Sequence, residues 1–210
     1  MSHSPIIDRF VLGLLGEDLD GLMILDCGIG YGNWAYQIKA KLGYEPYITG
    51  LEIHRPYIER QSKLGLYDKL VEANVLDIPF DNGYFDIVLA CELIEHLDQK
   101  DGLKMINEIE RVSKNLVIIT TPFGFMKQDE CDFNKYNIHR SAWYPSDFTK
   151  MGYKVKLLNS QPFTRSVKLF DDIRRKLFNL PQSSCFREII AHKKCARARD
   201  LHLEHRLRVD

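Results

Sequence analysis

The chain has 210 residues, 45% of them hydrophobic, enough for one domain with a sizeable buried core. Lysine plus arginine balances aspartate plus glutamate, 29 against 29, which excludes a histone-like polycation but leaves room for a local basic patch. The apolar runs at 10–15, 22–25 and 116–119 are far shorter than the roughly 20 residues that span a bilayer, so no membrane partner is expected.

Short runs rich in Val, Ile and Leu alternate with longer amphipathic runs, the rhythm of βαβ units around a parallel sheet. Strands are predicted at 23–27, 47–51, 69–73, 85–90 and 116–120, and helices at 32–42, 56–64 and 99–112. In the last helix Leu103, Ile106, Ile109 and Val112 are read as one buried stripe. Beyond Thr120 the pattern loosens. Residues 121–142 read as a long loop at the sheet's C-terminal edge, where long structured loops are often functional. A short helix at 145–151 stops at Gly152, and strands follow at 153–158 and 186–193. The intervening 160–184 reads as an inserted helical segment with Val167, Phe170, Ile173 and Leu177 on one side. It fits a helix packed on the sheet edge, a lid or a dimer contact. The adjoining Arg174, Arg175 and Lys176 read as a solvated face rather than a phosphate site. The domain is drawn at 1–193, with 194–210 as a polar tail expected to be mobile.

The strongest chemical signal is the run Ile24-Leu25-Asp26-Cys27-Gly28-Ile29-Gly30-Tyr31-Gly32-Asn33. An apolar strand runs into three alternating glycines and then a helix. Glycines there permit a tight bend and close approach of a ligand to the backbone. The spacing is GxGxG rather than the dinucleotide GxGxxG, and Asp26 would repel a pyrophosphate while suiting an ammonium group. A second strand ends in Glu52, 26 residues after Asp26, where a carboxylate can accept from both hydroxyls of a ribose. Asn74, Val75 and Asp77 follow the third strand, and Asp81 to Asp86 lead into the fourth. A nicotinamide-dependent oxidoreductase is the disfavoured rival.

This order of motifs resembles the class I S-adenosylmethionine (SAM)-dependent methyltransferases, over roughly residues 20–160 and again at 185–193. The resemblance implies an α/β, Rossmann-like, doubly wound seven-stranded sheet, mostly parallel, with a C-terminal antiparallel hairpin. It implies SAM as cofactor, with Asp26, Gly28 and Gly30 at its methionine end and Gly32 in the same cofactor-binding turn. Glu52 would bind the ribose and Ile53 would pack on the adenine. Asn74 and Val75 would reach the adenine edge, and Cys91 would offer backbone contacts to the methionine. Many members carry aspartate where Asn74 stands; its side-chain oxygen can still accept from the adenine amino group. Direct methyl transfer is expected, without a cysteine nucleophile. The five cysteines, Cys27, Cys91, Cys131, Cys185 and Cys195, form no CxxC pair. With no signal-peptide layout at the N-terminus, a reduced cytoplasmic setting is expected.

Strand four ends in Cys91-Glu92-Leu93-Ile94-Glu95-His96, and His139 lies downstream in Asn137-Ile138-His139-Arg140-Ser141-Ala142-Trp143. Positions i and i+3 share a helical face, so Glu92 and Glu95 are expected to converge. Glu92, Glu95, His96 and His139 are the candidate catalytic residues. They admit three readings. In one, His96 or His139 is the general base for a hydroxyl of a small-molecule acceptor, and no metal is bound. In another, the pattern resembles the small-RNA 3′-terminal 2′-O-methyltransferases, where two glutamates and two histidines hold a divalent metal. In the third, these residues only cap and pack. A small-molecule acceptor is expected, with metal-assisted RNA methylation or a non-catalytic SAM-binding module as alternatives.

Overall fold

The computed structural model describes residues 5–16, 18–128, 134–159 and 187–195. The expected insert at 160–184 and the tail beyond Cys195 lie outside the described residues. Seven strands form one sheet: β1 Met23–Cys27, β2 Tyr47–Glu52, β3 Lys69–Glu72, β4 Phe85–Cys91, β5 Ser113–Pro122, β6 Lys154–Asn159 and β7 Arg187–Lys194. Their order is β3-β2-β1-β4-β5-β7-β6. The first five pair in parallel, while β7 runs antiparallel to both β5 and β6. This is the expected doubly wound sheet with its C-terminal hairpin. No described helix is long and apolar enough to cross a membrane.

The parallel strands are apolar on both faces, because helices cover both. Side chains alternate between two cores with period two. Leu25, Val88, Val117 and Ile119 face one core, together with helices α4 Gln99–Val112 and α5 Pro145–Lys150. Ile24, Leu89, Ile118 and Ile190 face the other, against helix α1 Pro5–Leu15 and the residues Trp34 and Ile38. Each such side chain, fully withdrawn from water, contributes on the order of 1.5–3 kcal/mol.

Three sequence expectations are corrected. At the N-terminus only a short apolar run at 10–15 is expected. The chain forms α1, whose Ile7, Val11 and Leu15 recur every fourth residue and are buried. The helix expected at 32–42 is a short α2, Asn33–Ala35, continuing as a π-helical turn, Tyr36–Lys41. In α4 the buried set is Gly102, Met105, Ile106, Ile109 and Val112, while Leu103 is 45% exposed. Three successive steps of three residues rotate by about 180° in total, which carries Leu103 to the far side from Val112. Helix α3, Arg55–Ser62, packs beside β2 and β3.

Candidate active site

The glycine turn leaves β1 with Gly28, Gly30 and Gly32 at φ of 72°, 46° and 77°, the left-handed region in which side chains are strained. Gly28 also has no room for a side chain: a Cβ there would stand 2.9 Å from Leu93 Cδ1. At Gly32 the obstacle is the Gln61 amide, whose Nε2 donates to the Gly30 carbonyl at 3.2 Å. The turn is thereby clamped between β4's exit and α3.

Beneath it lies Asp26, 2% exposed. Burial raises its pKa to about 7; Tyr67, donating its hydroxyl to Oδ2 at 2.7 Å, opposes this, and the charge of Glu52 adds to it. Glu52 ends β2 with its carboxylate spread over three amides. Oε2 accepts from Gly30 N–H at 3.3 Å, and Oε1 from Ile53 at 3.0 Å and His54 at 2.9 Å. Burial raises its pKa and these amides restrain the rise. Asn74 Oδ1 accepts from Leu76 N–H at 3.0 Å, a local turn that leaves the oxygen's second lone pair available.

Two adjoining cavities open here. One, of about 240 Å³, is lined by Gly28, Leu51, Glu52, Ile53, Asn74, Val75 and Leu97 among others. The second, about 70 Å³, is lined by Gly30, Tyr31, Tyr57, Glu92, Tyr136 and Asn137 among others. Both share Gly28, Glu52, Ile53, Leu93, His96 and Tyr136, so they form one cleft along the C-terminal edge of β1, β2 and β4. Asp26, Gly32, Cys91, Glu95 and His139 line neither cavity. Cys91 is buried, and burial pushes its thiol above the ordinary value, which makes it a poor nucleophile.

At the far end of β4, Glu92 takes φ of 52°, and the helical turn that follows spans only Ile94–His96. Glu92 and Glu95 therefore do not share the expected helical face. Thr120 donates its hydroxyl to Glu92 Oε1 at 2.8 Å, and Thr121 donates to Glu95 Oε2 at 2.9 Å. Adjacent residues of β5 point to opposite faces, so the two carboxylates are anchored on different sides of the sheet's end. Burial raises the pKa of Glu92 to about 7. It raises Glu95 too, with the charge of Glu92 adding to it.

The loop carrying His139 docks on this turn. The Glu95 carbonyl accepts from Arg140 N–H at 2.7 Å and Ser141 N–H at 3.2 Å. Ser141 Oγ in turn takes the Trp143 indole N–H at 2.9 Å. The docking brings His139 to His96. Glu95, His96 and His139 each present one ligand atom within 4.8 Å of the others; Glu92 is not in that group. Burial lowers the pKa of His96 to about 4, and lowers that of His139 as well.

Two participants escaped the sequence reading. Tyr67 is one. The other is Glu188 on β7, fully buried, with both carboxylate oxygens lacking a hydrogen-bond partner. Burial, and then the charge of Glu92, raises its pKa to about 9. An acid inside the apolar run Glu188-Ile189-Ile190-Ala191 was the available signal. Only the register that sets Glu188 opposite Pro122 brings it to this corner.

Residues 24–115 match the family described as "Methyltransferase domain". An uncharacterized protein of Methanocaldococcus jannaschii is 30% identical over 155 residues, 72% of this chain and 63% of that one. The ubiquinone/menaquinone biosynthesis C-methyltransferase UbiE of Brucella abortus is 32% identical over 121 residues, 53% of this chain and 43% of that enzyme. The chain thus spans less than two thirds of the length of either curated relative. Among solved structures, Haemonchus contortus phosphoethanolamine N-methyltransferase 2 in complex with S-adenosyl-L-methionine superposes with a TM-score of 0.60 at 16% identity, over 91% of this chain and 52% of that one. At that identity the likeness concerns the fold.

Proposed function

We infer that this chain is a class I SAM-dependent methyltransferase that binds SAM in the cleft and methylates a hydroxyl of a small molecule. The observation that carries the reading is the continuous cleft itself. Asn74 and Val75 line one end, Gly30 and Glu92 line the other, and Gly28, Glu52, Ile53, Leu93 and His96 are common to both. The donor set fits SAM: among the described residues the smaller cavity at the glycine turn is lined by Glu52 and Glu92 and by no lysine or arginine, which suits an ammonium and a diol rather than a pyrophosphate, while Arg140 lines the larger cavity.

When bound, SAM supplies an electrophilic sulfonium methyl. The chain's task is then to hold the acceptor in line, exclude water and take a proton. His96, neutral at pH 7, can orient the acceptor hydroxyl by accepting its hydrogen bond. Glu92, with a pKa of about 7, is the better matched proton acceptor. Thermal shift with SAM, its demethylated product S-adenosylhomocysteine (SAH) and NAD tests the cofactor. SAM and SAH should each stabilise the chain by RT ln(1 + [L]/Kd). Stabilisation by NAD and not by SAM would sink this reading.

A second reading is favoured by the Glu95, His96 and His139 group. Two imidazoles and a carboxylate suit Mn, Zn or Fe, and such an ion would lower the pKa of an acceptor hydroxyl, the ribose 2′-hydroxyl of RNA included. Metal analysis after dialysis, with methyl transfer measured with and without EDTA, separates the two. Retained transfer in a metal-free preparation supports the first.

A further inference from the structure

We propose that Tyr67 is a positioning residue of the cofactor site, its hydroxyl fixing the Asp26 carboxylate beneath the glycine turn so that the free oxygen Oδ1 meets the ligand's α-ammonium group. This rests on the reading of Asp26 as a methionine-end residue.

Tyr67 reaches Asp26 across 41 residues of sequence, and the hydrogen bond to Oδ2 at 2.7 Å is buried. Asp26 accepts no other side-chain hydrogen bond among the described residues, so Oδ1 is left for a further donor. The path of the ring is built in. Gly50 is the register partner of Asp26 in β2. A Cβ at Gly50 would stand 2.9 Å from Tyr67 Cδ1 and 2.8 Å from Ile29, so the missing side chain is the lane through which Tyr67 passes.

The backbone behind the ring is fixed as well. Asp68 N–H donates to the Ile48 carbonyl at 2.9 Å, and Asp68 Oδ2 accepts from Ile48 N–H at 2.7 Å and from Lys39. A hydroxyl delivered by a clamped segment through a side-chain-free lane holds its acceptor in one orientation, which is the requirement for a preorganised site. A ring serving only to fill the core would not need its oxygen placed on a buried carboxylate.

The titratable groups facing Asp26 are Tyr67 from the segment before β3, Glu52 from β2, Cys27 from β1 and Cys91 from β4. Burial raises both thiols and the phenol, so they stay neutral from pH 6 to 8. Asp26, with its pKa raised to about 7, changes charge in that range, and Glu52 is the other carboxylate beside it. A ligand lacking the amino acid part separates them, since it retains the ribose and lacks the ammonium.

The experiment is calorimetric binding of SAH and of 5′-methylthioadenosine to the wild-type chain, Tyr67→Phe and Asp26→Asn between pH 6 and 8. Phenylalanine keeps the ring and removes only the hydroxyl. Tyr67→Phe should weaken SAH about tenfold at pH 7 and leave methylthioadenosine unchanged. Affinity for SAH needs the Asp26 carboxylate, so it is lost as pH falls through the Asp26 pKa. The Tyr67 hydrogen bond lowers that pKa, so its removal should move the loss to higher pH. Equal weakening of both ligands at every pH, with a lowered melting temperature, would make Tyr67 a core filler and overturn the proposal. So would an unchanged SAH profile in Tyr67→Phe beside a weakened Asp26→Asn. If Asp26→Asn binds SAH as tightly as wild type, the assignment of Asp26 itself fails. Absence of SAH binding to the wild-type chain would instead remove the proposed function.

Discussion

The imidazoles of His96 and His139 meet edge to face with ring centroids 4.8 Å apart, and each turns Nδ1 toward a main-chain carbonyl. His96 Nδ1 lies 3.3 Å from the Ile138 oxygen, and His139 Nδ1 lies 2.6 Å from that of Met126. A carbonyl only accepts, so a neutral ring held this way carries its proton on Nδ1; His96 meets the Asn137 main chain as well.

Neither ring should protonate near neutrality. Burial is the leading cause for both; for His96 the neighbouring His139 adds to it. Histidine Cε1 resonances followed by NMR should stay flat for His96 from pH 8 down to about 5.5, with protonation near pH 4. The unfolded chain takes that proton near pH 6.5, so this group removes stability as pH falls from 6.5 toward 4. An ordinary titration of the His96 signal at pH 6.5 contradicts the buried geometry.

Glu52→Ala should weaken SAM and SAH by about 1–3 kcal/mol, the usual cost of stranding hydrogen-bonded polar groups. The side chain also organises the Gly30, Ile53 and His54 amides, so part of the loss comes from a looser turn. Isothermal calorimetry measures it. An unchanged Kd would place the ribose elsewhere.

Glu188→Gln should stabilise the chain at pH 8 by about 1–3 kcal/mol, because wild type must either keep a proton on this carboxyl or bury an unpaired charge. The folded pKa of about 9 lies above the ordinary 4.5. Stability from this group is therefore complete below pH 4.5 and falls as pH rises toward 9. Urea unfolding at pH 5, 7 and 9 should show wild type losing ground to the variant. A variant less stable than wild type at pH 9 would mean that Glu188 is paired.

Gly102→Ala places a methyl against the Trp143 ring and 3.2 Å from Ile94. Trp143 is 1% exposed and packs against Phe148, so it has little freedom to yield. Overpacking of this kind costs about 1–3 kcal/mol, roughly 2–4 °C of melting temperature per kcal/mol at this chain length. Ser141, which accepts the Trp143 N–H and is itself docked on the 94–96 turn, should loosen with it. Faster amide exchange at Arg140 and Ser141 would report this, and unchanged exchange would uncouple the loop from the tryptophan.

The seven-stranded sheet with its C-terminal hairpin, and the residues at one end of the cleft, were legible in the sequence. A strand running into alternating glycines, and an acid closing the next strand, are signals carried by contiguous residues. Gly28, Glu52, Ile53, Asn74 and Val75 accordingly line the cleft. Helix α1 was half visible, because Ile7 stands about one turn before the apolar run at 10–15. Leu103 was misplaced by spacing that accumulates 60° per step. The rest was decided by pairings between distant segments. The β5–β7 register carries Glu188 to the corner of Glu92, a docked loop brings His139 to His96, and the empty side of Gly50 lets Tyr67 reach Asp26. Local propensity and periodicity are functions of near neighbours along the chain. Which buried acid meets which hydroxyl depends on strand order and register, and those are set only when the two cores close.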